Sequence, residues 1–192
     1  MGHIFVELIS QMTQLSKEEE LFIEDTFPIE TFKKGTYLLK QGQIAKGSFF
    51  IIKGCVREYL LEDGEEKTIA FYTEQQSLAN QSSISNQTPS KINFVCSEDT
   101  TVVITLTEKE KKLYEKFPRF KEFCLEEMDR IIGEQREKLT EFYRLKPEER
   151  YVKLQEERPD LLNRVPQYQI ASYLGIKPET LSRIRARMVN NK

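Results

Sequence analysis

The sequence predicts an α+β chain, in which an N-terminal β-barrel or jelly roll is followed by one long helix and then by a small all-helical C-terminal unit. Three observations carry this. Between Phe32 and Leu106, short β-rich runs alternate with glycine-bearing turn signals. Between Leu125 and Phe142, apolar residues recur at alternating steps of three and four. Between Pro166 and Met188, two short helical patterns meet at Gly175.

The chain opens with helical spacing over residues 3 to 27. Ile4, Leu8, Ile9 and Met12 fall on one face, and Leu21, Phe22 and Phe27 on another. Ser16 followed by Glu19 reads as a capping box that opens a second helix. From Phe32 the texture changes to the runs YLL, SFFII, CVREYLL, KTIAFYT, INFVC and TVVITL. Turn signals at Lys34-Gly35, Gln41-Gly42, Lys53-Gly54 and Asp63-Gly64 separate them, and Gly64 joins two alternating strands as the clearest hairpin.

Thr107 and Glu110 suggest a second capping box, and Pro118 opens the long helix. On it Leu125, Met128, Ile132, Gln135, Leu139 and Phe142 form a heptad seam suited to a twin helix. A single stripe packed on the chain's own barrel is the alternative. Cys124 and Ile131 supply a second apolar flank, so one stripe is expected to hold the barrel and the other to form a homodimer. Lys146-Pro147 ends the helix, because the residue before proline is pushed out of helical geometry. The expected division is a sensor-like unit over 1–116, a dimerisation helix and hinge over 117–145, and a DNA-binding unit over 146–192.

In the last unit Ile170, Leu174, Ile176, Leu181 and Ile184 point into one small core if two helices cross at Gly175, with Ala171 at the crossing. Lys177, Glu179, Thr180, Ser182, Arg183 and Arg187 remain outward, a set able to reach phosphates and base edges. Charge agrees. Residues 163–192 hold six Lys or Arg and one acidic residue, a net of +5, while the whole chain is −2, which leaves −7 on residues 1–162. An ordinary pair of core helices with solvated charges would match the spacing but not this concentration of basic residues.

Composition limits the remaining classes. With 39% hydrophobic and 31% charged residues and no long apolar run, the chain reads as a globular protein without membrane insertion. No secretory signal opens it, so a cytoplasmic location is expected. Cys55, Cys96 and Cys124 are odd in number and far apart, with only His3 as a further soft ligand. They suggest buried thiols rather than a disulfide framework, metal site or cofactor. Without paired carboxylates or a nucleophile motif, no enzyme is expected.

Taken together, the helical lead-in, the glycine-punctuated β unit, the long seam helix and the C-terminal helix-turn-helix resemble the Crp/Fnr family of bacterial transcription regulators. The run KKGTYLLKQGQIAKGSFFIIKGCVREYLLEDGEEKTI is similar to that family's cyclic-nucleotide-binding fold, with Gly35, Gly42 and Gly54 at expected turns. Glu179, Thr180 and Arg183 of PETLSR match its R-E-T-x-x-R recognition motif. The resemblance implies a homodimer on double-stranded DNA, with Glu179 accepting from a cytosine amino group and Arg183 forking onto a guanine. It also implies RNA polymerase as a further partner.

Two departures stand out. Pro178 replaces the motif's first arginine, and no β-hairpin wing is legible after the second helix. The family's phosphate cassette, a Gly-Glu pair opening a short helix and a later Arg-Ser or Arg-Thr, corresponds here to YTEQQSLANQSSISNQTPSKINF. Ala79-Asn80 takes the Gly-Glu place and Ser90-Lys91 the arginine place, so both charged anchors are absent. Lys91 is the one replacement cation. Gln75, Gln76, Asn80, Gln81, Ser82 and Ser83 offer neutral groups for an uncharged effector, or form a solvated loop. Weak or absent cyclic AMP binding is expected. The rival function is a small-molecule sensor acting through protein contacts, with a vestigial DNA-binding tail.

Overall fold

A computed structural model describes residues 3–190. Two helices, α1 (Ile4–Met12) and α2 (Lys17–Thr26), lead into β1 (Ile29–Phe32), β2 (Tyr37–Leu39), β3 (Gly47–Lys53), β4 (Val56–Glu62), β5 (Glu65–Tyr72) and β6 (Ser77–Leu78). A short α3 (Gln81–Asn86) precedes β7 (Ile92–Cys96) and β8 (Thr100–Leu106). Then come α4 (Thr107–Lys116), α5 (Arg119–Arg144), α6 (Pro147–Glu157), α7 (Leu161–Arg164), α8 (Gln167–Tyr173) and α9 (Pro178–Asn190).

The strands form a jelly roll rather than a closed barrel. One antiparallel sheet has the order β1-β8-β3-β6 and the other β2-β7-β4-β5. Side-chain alternation sorts their residues between three cores. Ile51, Val56, Leu78, Phe94, Cys96 and Val102 fill the space between the sheets. Val103 and Phe50 face outward from the first sheet and meet Val6, Ile23, Phe27, Leu113 and Phe120 of the flanking helices. Phe71 faces outward from the second sheet and, with Cys55, joins the core of the C-terminal unit. At the β3–β4 turn Gly54 has φ +112°, and a Cβ there would lie 2.6 Å from the Thr100 Cα, so glycine alone fits.

The lead-in helices carry the Ser16–Glu19 capping box as expected: Glu19 N–H donates to Ser16 Oγ, and Ser16 N–H to the Glu19 carboxylate. Their buried faces differ from the expected ones. Met12 and Leu21 are exposed, while Val6 and Ile23, which the pattern did not single out, are buried. The Thr107 capping box is absent, because β8 runs directly into α4 and places Thr107 inside the helix with Leu106 at the cap position.

α5 is 26 residues long, about 39 Å at 1.5 Å per residue. Only Phe120, in its first turn, is buried. The flank expected to hold the barrel does not: Cys124 is half-buried near Tyr114, but Ile131 is exposed, and so is every residue from 128 to 140. α5 therefore leaves the body and projects. Its C-terminus turns at Lys146, whose N–H donates to Glu149, and Pro147 occupies the first turn of α6.

From there the chain returns to its own second sheet. Arg158 donates to the Phe71 carbonyl (2.9 Å) and to Thr73 Oγ1 (3.0 Å). Arg164 spans Glu74, Glu98 and Asp160. Ser172 Oγ accepts from the Thr68 N–H at 2.9 Å, and the Tyr173 ring meets Phe71 edge-on with centroids 5.6 Å apart. The helical unit thus lies on the outer face of β4 and β5.

Candidate nucleic-acid interface and effector pocket

The helix-turn-helix forms as its residues dictate. Ile170, Ala171, Leu174, Leu181 and Ile184 are buried together, and Ile176 packs partly against them. Gly175 has φ +70°. Its N–H donates to Ser172 O and the Ile176 N–H to Ala171 O, which closes α8 over a left-handed residue. Lys177 O then accepts from the Thr180 and Leu181 N–H groups, so α9 begins at once with Pro178 in its first turn.

Burying Leu181 and Ile184 fixes what the opposite side of α9 presents. Lys177, Glu179, Ser182, Arg183 and Arg187 are exposed, and Thr180 is half-buried. Arg183 reaches the Thr180 hydroxyl only at 3.5 Å, so its guanidinium keeps donors for another acceptor. Arg187 lies 3.6 Å from Glu148 of α6, a loose pair with both side chains largely exposed. Beside this face, a concavity of about 340 Å³ is lined by Gln167, Pro178, Leu181, Ser182, Arg185 and Ala186. Arg185 and Gln167 were not singled out from the sequence, since neither lies in the recognition motif.

At the cassette the structure gives most of the candidate residues internal tasks. Asn80 caps α3, accepting from the Ser83 N–H (3.1 Å) while its amide donates to Ser90 Oγ (2.8 Å). Ser83 Oγ accepts from the buried Ala45 N–H (3.0 Å) and donates to Thr88 O (2.6 Å). Ser90 Oγ is shared between Asn80 and the Ile92 backbone. Gln76 Oε1 accepts from the Thr73 N–H (2.8 Å), and Gln75 stands in a left-handed turn at φ +63°. Gln81 reaches Ser85, and Ala79, Ser82 and Lys91 are exposed. The side chains of Gln76, Asn80, Ser83 and Ser90 are thus already engaged within the molecule, while Ser82 and Lys91 stay open to solvent.

The concave side of the second sheet carries a feature the sequence reading passed over. Glu58 is paired in register with Phe94, an interior residue, and Tyr72 stacks edge-on with that same ring at 6.4 Å. The Tyr72 hydroxyl donates to Glu58 Oε2 at 2.7 Å. Burial pushes the Glu58 carboxyl above its usual range, against the opposing pull of that bond. A ligand entering this side would meet the Glu58 carboxyl group, already bonded to the Tyr72 hydroxyl. In the sequence Glu58 looks like one more charged strand residue.

The seam on α5 is presented rather than covered. Leu125, Ile132 and Leu139 are each more than half exposed (53%, 54% and 56%), and Met128 and Gln135 lie on the same open stripe. Phe142 departs from it. The Arg150 guanidinium lies 3.8 Å from its ring centroid, and the ring edge reaches to within 3.6 Å of where a Gly175 Cβ would be, so this ring braces the helix-turn-helix.

Among the described residues, no helix is long and apolar enough to cross a membrane, and no group of three His, Cys, Asp or Glu side chains is placed to hold a metal ion. Cys55 and Cys96 are buried and Cys124 is half-buried. Burial pushes the Cys55 thiol up to about 12.

Comparison with known proteins places this geometry. Residues 29–116 match the cyclic nucleotide-binding domain family. No curated protein matches the sequence. Among solved structures, FixK2 from Bradyrhizobium japonicum superposes with a TM-score of 0.70 at 16% identity, over 86% of this chain and 85% of that one. A protein described as a regulator of the Crp/Fnr family from Eubacterium rectale gives 0.70 at 19% identity, over 93% and 86%. A CooA variant from Carboxydothermus hydrogenoformans gives 0.66 at 17%, over 95% and 83%. The resemblance read from the residues is borne out at the level of the fold: the jelly roll, the long helix and the C-terminal helical unit are arranged as in these Crp/Fnr-type structures across nearly the whole chain.

Proposed function

We propose, on the premise of that Crp/Fnr-type fold, that this chain is a homodimeric DNA-binding transcription regulator. α9 reads the major groove, and the jelly roll serves as a sensor that does not take a cyclic nucleotide through a charged cassette. The observation that carries the reading is the exposed polar and basic face of α9, with Lys177, Glu179, Arg183 and Arg187 held outward by a core that buries Leu181 and Ile184. Glu179 and Arg183 are one turn apart, which suits adjacent base edges, and Arg187 follows at the next turn, where the helix leaves the groove for phosphate.

The open stripe of Leu125, Met128, Ile132 and Leu139 supports pairing of two α5 helices, since a projecting helix with a wet apolar seam lacks any other packing among the described residues. Such a pair would set two reading helices for a pseudo-palindromic site with half-sites about one helical turn apart. The internal bonds of Asn80, Ser83 and Ser90, with neutral side chains where charged anchors would stand, support an effector that is not a cyclic phosphate.

Selection from random duplexes, followed by titration of the selected site at several salt concentrations, tests this. The wild type should lose affinity steeply with salt. Arg183→Ala should cost about 1 to 3 kcal/mol on the preferred site and relax its sequence. Arg187→Ala should weaken all duplexes alike and reduce the salt slope by about one. A flat salt response would favour the rival reading, a sensor acting through protein contacts.

A further inference from the structure

The contacts that dock the helical unit on the sheet are stronger and more specific than a tether needs. Both Nη atoms of Arg164 bond the Glu74 carboxylate, at 2.9 and 2.8 Å, and its Nε reaches Glu98 at 3.1 Å, on a side chain only 19% exposed. Arg158 and Ser172 add bonds to the Phe71 carbonyl and the Thr68 N–H. Docking leaves the outer face of α9 open, yet it decides what stands beside the helix end that enters a groove.

Ser172 is the pivot for that placement. Its hydroxyl also donates to Glu66 O, so the end of α8 is pinned to the start of β5, and five residues later Lys177 immediately precedes α9. The neighbouring β4–β5 hairpin tip carries Glu62, Asp63, Glu65 and Glu66, all exposed; Glu66 is paired with Arg57 and Glu65 with Lys67, which leaves Glu62 and Asp63 as its unpaired charges among the described residues. Lys67, and beyond it Lys177, hold the Glu65 carboxyl below its usual range, which agrees with Lys177 lying close to the tip. The N-terminal residues of a recognition helix are those that approach base edges between two phosphate strands. Carboxylates beside that end oppose the approach.

We propose that the outer face of the second sheet is an intramolecular dock that holds the reading helix beside an acidic hairpin and so lowers DNA affinity. Arg164 on Glu74 and Glu98 is its latch. The proposal rests on the DNA-binding reading of α9. The latch is placed to respond to the sensor, because Thr73 and Glu74 open the segment that continues through Gln76 into the Asn80 cap of α3. A ligand that shifts this segment pulls on the partners of Arg158 and Arg164.

The test compares the full-length wild type with the double variant Glu74→Gln, Glu98→Gln, which keeps shape and hydrogen-bond acceptors but removes both latch charges. Binding to a duplex is measured at low salt by fluorescence anisotropy, with the exchange of the Thr68 amide followed in parallel. The latch predicts that the variant binds about 5- to 150-fold more tightly, the range of ordinary site-to-site coupling. It also predicts that saturating DNA speeds Thr68 exchange in the wild type, as the bond to Ser172 opens. Arg164→Lys, which keeps the charge but loses the fork onto Glu74 and Glu98, should fall between the wild type and the double variant. Wild-type binding that the folded double variant matches or falls below overturns the latch, as does Thr68 protection unchanged by DNA. Binding by neither protein at low salt overturns the DNA-binding reading, and the latch with it.

Discussion

At the scale of single residues, the contact between Glu19 and Arg119 is structural. Glu19 is nearly buried, with Arg119 Nε at 2.6 Å and Nη2 at 2.7 Å and the Ser16 N–H at 2.8 Å. The Arg119 hydrogen bonds hold its carboxyl down to about 2, against the upward pull of burial. A carboxyl depressed in the folded state stabilises the fold above its unfolded value near 4.5, and that contribution fades as pH falls toward 2. Because Arg119 is partly exposed, the contribution should be about 2 kcal/mol. Urea unfolding of wild type and Glu19→Gln between pH 6 and 3 should therefore show a gap that narrows on acidification. A constant gap would mean that the capping bonds alone matter. The Ser16–Glu19 half of this was legible as a capping box. The Arg119 half was not, since nothing in a sequence pairs residues 100 positions apart. The same applies to Asn80, Ser83 and Ser90: their composition suits a ligand loop and a self-bonded loop equally, and only the placement of Ala45 and Thr88 chooses between them.

At the scale of elements, legibility followed length and alternation. β7 falls on INFVC residue for residue, and β3, β4, β5 and β8 sit on their predicted runs, because alternating apolar residues there face two cores at once. β1 and β6 went unseen. They span four and two residues at the two edges of one sheet, too short to show a period. The α5 seam was read correctly as apolar and periodic, but its relation to the body was not, because a stripe does not say which surface covers it. Replacing Leu125 and Leu139 by glutamate places charges on two exposed seam positions and disturbs no packing within the chain. Sedimentation velocity should show a dimer for the wild type at micromolar concentration and a monomer for the double variant, with unchanged far-UV circular dichroism. A variant that remains dimeric would remove α5 from the interface. Phe142→Ala should act differently, loosening the Arg150 contact at the base of the helix-turn-helix without changing the sedimentation coefficient.

At the scale of the whole molecule, the division of charge between an acidic body and a basic tail was visible in the sequence, whereas their contact was not. A charge count describes two surfaces without saying that they meet within one chain, and the residues that join them, Cys55 and Phe71, look like ordinary strand positions. Yet both lie in the core of the helical unit, so the helix-turn-helix has no complete core of its own. Two consequences follow. Sheet and tail should unfold in one cooperative transition, since opening either exposes the apolar surface of the other. Phe71→Ala should remove a ring that packs on Tyr173 and cost about 3 to 5 kcal/mol, an amount large enough to uncouple the two halves. Calorimetry should then resolve a low-temperature transition of the helical unit from a later one of the jelly roll, where the wild type shows one. If Phe71→Ala instead lowers a single transition as a whole, the sheet and tail are coupled mainly through the Arg158 and Arg164 bonds. In that case the polar contacts, rather than the shared core, set how readily α9 and its unit leave the sheet.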